Sequence, residues 1–192
     1  MVDPLRVRAA VALFLLALTL ALTGCGASSQ AAAPKPDVDG CAGSQLRPSA
    51  ANDPQVRAAT LCLINAQRAR QNEPPLAENL RLDRSAVLHS ADMAKRKYFE
   101  HVDPDGVHPE ARIVQQGYPP ILVGENLAWG ETTKSTPAWI VSAWMKSPGH
   151  RANILEPNYR EIGIGMAYEA PEAQPVPKPA AIYTTTFGAG GR

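Results

Sequence analysis

Three short segments, in fixed order between Tyr98 and Leu155, constrain this chain most: Tyr98-Phe-Glu-His101, Gly124-Glu-Asn-Leu127, and the run from Trp144 through Ser147, His150 and Asn153 to Leu155. Each sets a titratable side chain beside glycine, proline or an aromatic residue. His101, Glu125 and His150 can converge on one cleft only if the elements between them fold back on one another.

The N-terminal end bounds the compartment. Arg6 and Arg8 precede an apolar run from Ala9 to Leu22 and then Thr23, Gly24 and Cys25, the charged, apolar and small-residue order of a secretory signal. The run is shorter than the roughly twenty residues of a comfortable membrane span. A cysteine directly after small residues resembles the bacterial lipobox, in which Cys25 becomes the lipidated first residue of the exported chain. An ordinary signal peptide cut nearby, or an uncleaved anchor, are the alternatives. The expected organisation is a signal peptide at 1–24, a lipidated cysteine with an Ala/Pro/Ser-rich tether at 25–51, and one domain at 52–192. With Cys41 pinned, only about the first fifteen residues of this tether are free, and a flexible chain of that length has an end-to-end distance of ~20 Å. With Cys25 modified, Cys41 and Cys62 remain as a pair where disulfides persist, and are expected to be bonded. Closing that loop contributes about 3 kcal/mol; a free buried Cys62 is the other reading.

Charge narrows the partners. The chain carries 19 Lys and Arg against 18 Asp and Glu, and removing Arg6, Arg8 and Asp3 with the signal leaves the signs balanced. No nucleic acid partner is expected, because phosphate binding needs a basic footprint. Lys95, Arg96 and Lys97 form a local cluster that reads as a solvated helix end.

Within the domain, Asn52 and Pro54 mark a helix start, and Val56, Ala59, Leu63 and Ile64 recur at helical spacing up to about Arg70. Pro74 and Pro75 forbid continuation. A second helix is expected from Asp83 to Lys97, with Leu82, Ala86, Ser90, Met93 and His89 toward its apolar face. A turn follows His101, and a short helix from Pro109 should stop at Gly117. A further helix spans Thr136 to Met145, with Ile140, Val141 and Trp144 inward. Ile162–Tyr168 and Ala180–Phe187 read as strands joined by a proline-rich, solvent-facing loop. This order indicates an α+β protein, helices packed on a largely antiparallel sheet.

The three segments, with Leu63-Ile-Asn65-Ala-Gln-Arg68 and Ile162-Gly-Ile-Gly165, resemble the bacterial branch of the CAP superfamily (cysteine-rich secretory, antigen 5 and pathogenesis-related proteins; SCP-like). The resemblance covers residues 54–188 and implies a three-layer α-β-α sandwich. It also implies a cleft of two histidines and two glutamates, in some members with zinc on the histidines. His101 and His150 match the histidines and Glu125 the first glutamate. The second glutamate's place falls near Ser147, so the tetrad is incomplete and turnover is not expected.

Two imidazoles and a carboxylate can form an open three-ligand zinc site, with His101 and His150 as ligands and Glu125 as the third. A hydrogen-bonded His-Glu-His cluster is the competing reading, since no local ligand pair pre-organises a metal. His89 is expected to pack or cap rather than ligate, and His108 to lie in an exposed loop. Asn126 and Asn153 suit loop carbonyls and amides. Trp129, in a glycine-rich stretch, is the tryptophan expected to be exposed and to touch a ligand, whereas Trp144 is expected in the core. Ser147 as a hydrolase nucleophile is disfavoured, because no strained Gly-x-Ser-x-Gly elbow surrounds it. The expected function is a monomeric, membrane-tethered domain in the cell envelope that binds a lipid or cell-wall ligand without turnover. A structural or adaptor protein, and a metal-assisted hydrolase of peptide or cell-wall material, stand as alternatives.

Overall fold

The computed structural model describes residues 38–173 and 178–190. The signal peptide, Cys25 and residues 26–37 of the expected tether lie outside the described residues. Lys35–Arg192 forms one compact unit, which contains every described element, all three hydrophobic clusters and the disulfide.

The helices are α1 (Asp53–Ala69), α2 (Leu80–Arg96), α3 (Pro109–Gln115), α4 (Pro137–Lys146) and α5 (Pro148–Leu155); the strands are β1 (Ala77–Glu78), β2 (Pro120–Glu131), β3 (Glu161–Ala167) and β4 (Ala180–Gly190). The sheet runs β1-β3-β4-β2, with β1 parallel to β3 and the other pairs antiparallel. One face carries the main core, built from Val56, Leu63 and Ile64 of α1, Ile140, Val141 and Trp144 of α4, Ile154 of α5, and the sheet residues Ile162, Ile164, Tyr183 and Phe187. Smaller clusters cover the other face, one around Met93, Leu127 and Ile182, the other around Leu82, Ile113 and Tyr118. This is the expected α-β-α arrangement.

The alternation of Ile162, Gly163, Ile164 and Gly165 explains how closely these layers approach. The isoleucines face the main core, while a Cβ on Gly163 or Gly165 would sit inside the backbone of α2 at Leu82–Asp83 or Ala86–Val87. Helix α2 lies directly on β3 only because glycine presents no side chain there.

Several boundaries differ from expectation for identifiable reasons. Asp83 reads as a helix start, but α2 begins earlier and is capped by Asn79, whose side chain accepts from the amides of Arg81 (2.9 Å) and Leu82 (3.4 Å). Asp83 instead turns inward and accepts from the Ile164 amide at 2.8 Å, while Arg57 donates to the Ile164 carbonyl. Together they satisfy β3 where β1 no longer pairs with it, closing an exposed sheet edge. Asn52 precedes α1 as expected, yet its side chain accepts from the Ser49 amide (2.8 Å) rather than capping the helix.

Two strands escaped the sequence reading. The longer, β2, contains Gly124 and Gly130, which look like loop residues. They mark close approaches instead: a Cβ would strike the Tyr159 hydroxyl at Gly124 and the Lys134 carbonyl at Gly130. Helix α5 is likewise unexpected, with Pro148 in its first turn. The bond between Cys41 and Cys62 fastens the segment before α1 onto that helix, with Cys41 as the buried partner and Cys62 exposed.

Two outcomes follow from this packing. Gly165→Ala should lower stability by about 3 kcal/mol or more, the upper range for overpacking, as read by urea unfolding; a loss below about 1 kcal/mol would contradict the close layer contact. Burial pushes the Asp83 carboxyl up to about 6, offset in part by the Ile164 amide and Arg57. Its folded value lies above the unfolded one, so lowering pH from about 7 to about 5 favours the folded state at this residue. The stability of the wild type relative to Asp83→Asn should therefore rise over that interval, and an unchanged difference would contradict the assignment.

Candidate functional site

Glu125 occupies the middle of β2, opposite Thr186 of β4, and its side chain is buried. A buried carboxylate must be hydrogen-bonded and paired or its desolvation is not offset. Here both oxygens are engaged. Oε1 lies 2.8 Å from Nδ1 of His101, and Oε2 accepts from Nη2 of Arg112 at 2.7 Å. Arg112 projects from α3 and donates through Nη1 to the carbonyls of His101 (2.8 Å) and Val107 (3.0 Å). One guanidinium thus holds the Glu125 carboxylate and both sides of the loop that presents His101.

His89, on α2, lies behind this group and is buried. Its Nε2 is 3.0 Å from the Glu100 carbonyl and 3.9 Å from Oε1 of Glu125. A carbonyl only accepts, so Nε2 carries the proton and Nδ1 is bare. The Tyr98 hydroxyl stands 3.4 Å from that Nδ1 and donates to Asp92 at 2.7 Å. His89 is therefore a packed, hydrogen-bonded member of the cluster.

His150 reaches the site from the other side of β2. The Asn126 side chain donates to its carbonyl at 3.0 Å, and Asn153 donates to the Glu125 carbonyl (3.1 Å) and to Oδ1 of Asn126 (2.9 Å). Two amides thereby tie α5 to β2. Successive side chains of a strand alternate, so Glu125 and Asn126 project to opposite faces of β2, an edge strand of the sheet.

The electrostatics separate the three histidines. The hydrogen bond to Glu125 raises His101, against the opposing effect of burial. Burial lowers His150, and the His101 charge lowers it further, so the two imidazoles lie within electrostatic reach. Burial also lowers His89, with the Glu125 charge opposing. His101, half exposed, donates through Nδ1 and presents Nε2 outward. A carboxylate behind Nδ1 is how proteins orient a metal-ligating imidazole, and His101 has that arrangement. Both oxygens of Glu125, the expected third ligand, are already hydrogen-bonded, and among the described residues no three such side chains are arranged to hold a metal.

The remaining candidates divide. Ser147 joins α4 to α5 without a side-chain cap, and no hydrogen bond links it to His150 or Glu125 among the described residues. His108 is exposed, as expected. Trp129 lies on β2 and packs beside Met93, Leu127 and Ile182. Trp139 is the more exposed tryptophan at 40%, and Trp144 is buried, donating to the Leu127 carbonyl at 3.0 Å. Arg112 escaped the sequence reading. Its available signal was a cation beside Ile113 on a short helix near a carboxylate that needed a partner.

Comparison with known proteins places this geometry among relatives. The family model described as CAP, the cysteine-rich secretory protein family, matches residues 61–176. The uncharacterized protein YkwD of Bacillus subtilis (strain 168) is 41% identical over 103 residues, 54% of this chain and 39% of the relative. The uncharacterized membrane protein YlbC of the same organism is 32% identical over 81 residues, 42% of this chain and 22% of the relative. The chain thus spans well under half the length of these curated relatives. An extracellular protein containing an SCP domain from Bacillus anthracis str. Ames superposes with a TM-score of 0.57 at 26% identity, covering 70% of this chain and 43% of that one. An outer surface protein from Borrelia burgdorferi shares the fold, with a TM-score of 0.55 at 22% identity over 67% of this chain and 87% of its own. The family match spans more than half of the sequence and includes His101, Glu125 and His150, and the chain belongs to the cysteine-rich secretory protein (CAP) family.

Proposed function

We propose that this chain is an exported, membrane-tethered CAP domain that binds a polar cell-envelope ligand, of the cell-wall or lipid-headgroup kind, at the edge lined by His101 and His150, without turning it over. The observation that carries this reading is the double engagement of Glu125 by His101 and Arg112. A carboxylate bonded at both oxygens anchors an imidazole and is poorly placed to act as a free general base. Among the described residues Ser147 has no base bonded to it, which disfavours a nucleophilic alternative. The Cys41–Cys62 bond supports an oxidising, extracytoplasmic compartment, in line with the extracellular description of the Bacillus anthracis relative. The tether is assigned to lipidated Cys25, and the exported protein acts as a monomer.

A second reading has its own support. The carboxylate behind Nδ1 of His101 and the lowered His150 favour zinc, which His101 and His150 would hold and which would supply Lewis-acid chemistry there. Near-stoichiometric zinc in wild type, lost in His101→Ala/His150→Ala, would support it; protein that stays metal-free after zinc addition and removal of the excess would exclude it.

The binding reading is tested by titrating soluble muropeptides into isotope-labelled exported chain. Amide shifts should move around His101, Asn126 and His150, the double variant should lose them, and muropeptide masses should stay unchanged. Cleavage that disappears in Glu125→Gln would replace binding by hydrolysis, and absent shifts would exclude this ligand class.

The network also sets a pH dependence. In an NMR titration His101 should titrate above the ordinary value of about 6.5, and His89 and His150 below it. The His101 contribution to stability is complete below its unfolded value and is lost as pH rises through its folded value; His89 and His150 act in the opposite sense, their contribution fading as pH falls below about 6.5. Glu125→Gln leaves Arg112 unpaired and should cost about 3 kcal/mol or more, with a larger loss at pH 6, where His101 is charged, than at pH 8. An equal loss at both pH values would contradict the His101–Glu125 pairing.

A further inference from the structure

The outer face of α2 does not behave like an ordinary solvated helix surface. Its exposed residues are Leu80, Arg81, Arg84, Val87, Leu88, Ala91, Lys95 and Arg96: four apolar, four basic and none acidic. Leu80, Arg84, Val87, Leu88, Ala91 and Lys95 recur at the spacing of one helical stripe, with Leu80 exposed at 79% and Leu88 at 53%. Both acids of the helix are turned away, Asp83 to the Ile164 amide and Asp92 to Tyr98 and Arg96.

Neighbouring elements leave this asymmetry intact. Glu78, just before the helix, interacts with Asp83. Asp105 pairs with Arg96, and Glu169 with Lys97. Arg81, Arg84 and Lys95 have no ion-pair partner among the described residues. The opposite face of α2 is fixed against β3 at Gly163 and Gly165, so the outer stripe is held rigidly outward.

We infer that this stripe is a docking face for an anionic lipid bilayer, with Leu80, Val87 and Leu88 entering the interface and Arg81, Arg84 and Lys95 meeting acidic headgroups. Apolar residues flanked by unpaired cations are the pattern of a helix that lies in a membrane interface. Among the described residues no helix is long and apolar enough to cross a membrane, so the contact is peripheral. A second copy of the chain fits poorly, because a two-fold pairing would set these cations against their own copies with no acid to answer them. A purely electrostatic partner leaves the exposed leucines unused. The assignment rests on the tethered binding module proposed above for its setting beside a membrane, and its chemistry differs from that of the His101–His150 edge.

The test is co-sedimentation of the compact unit Lys35–Arg192 with vesicles of phosphatidylglycerol and phosphatidylcholine, against vesicles of phosphatidylcholine alone. Wild type should bind the anionic vesicles preferentially and weaken as salt rises. Arg81→Ser/Arg84→Ser/Lys95→Ser and, separately, Leu80→Ser/Leu88→Ser should each lower the partition constant by about tenfold or more, while keeping the wild-type urea midpoint and the muropeptide shifts at His101. His101→Ala/His150→Ala should bind vesicles normally, which separates failure of this face from failure of the cleft. Equal binding to both vesicle types, no binding to either, or full binding by the serine variants would overturn the inference. Loss in the charge variant with full binding in the leucine variant would also overturn it, in favour of an acidic polymer.

Discussion

Glu125 is a full charge placed inside a protein, and the cost of its desolvation is offset only if both oxygens find strong donors. Arg112 and His101 are those donors. Because Arg112 also holds the carbonyls of His101 and Val107, satisfying one carboxylate fixes the loop that follows α2, the position of α3 and the orientation of the His101 ring. On the other face of β2, Asn126 and Asn153 seat α5 and its histidine. A strand at the edge of the sheet thus becomes the ruler against which both imidazoles are set.

The same carboxylate shapes the chemistry. Bonded at both oxygens, it raises the basicity of His101 and leaves Nε2 of that ring as the outward-facing atom, while burial and the neighbouring charge hold His150 below its ordinary range. The result is one readily protonated imidazole and one reluctant one. Helix α2 serves both sides of this arrangement. Its inner face carries His89 into the cluster, and its outer face carries the apolar and basic stripe.

Much of this was legible before any coordinates. Helix α1 and the two strands of the C-terminal half follow from periodicity, and the ordered segments single out His101, Glu125 and His150 as candidates. What stayed hidden shares one physical character. Gly124 and Gly130 signal a loop locally, but in β2 they are sites where Tyr159 and Lys134 come too close for a side chain. Asp83 signals a helix start but answers a strand amide far along the chain. Arg112 signals a solvated helix but is the counter-charge of Glu125. In each case a tertiary contact outweighs a local preference, and no single-residue pattern reports it.

The central claim is that Glu125 fixes the His101 tautomer and so decides which atom faces a ligand. Long-range nitrogen correlation NMR on histidine-labelled protein, at a pH where His101 is neutral, reads that tautomer directly. The account predicts a proton on Nδ1 and a bare Nε2 in the wild type, with tautomer averaging in Glu125→Gln; a proton on Nε2 in the wild type, or an unchanged tautomer in the variant, would contradict it.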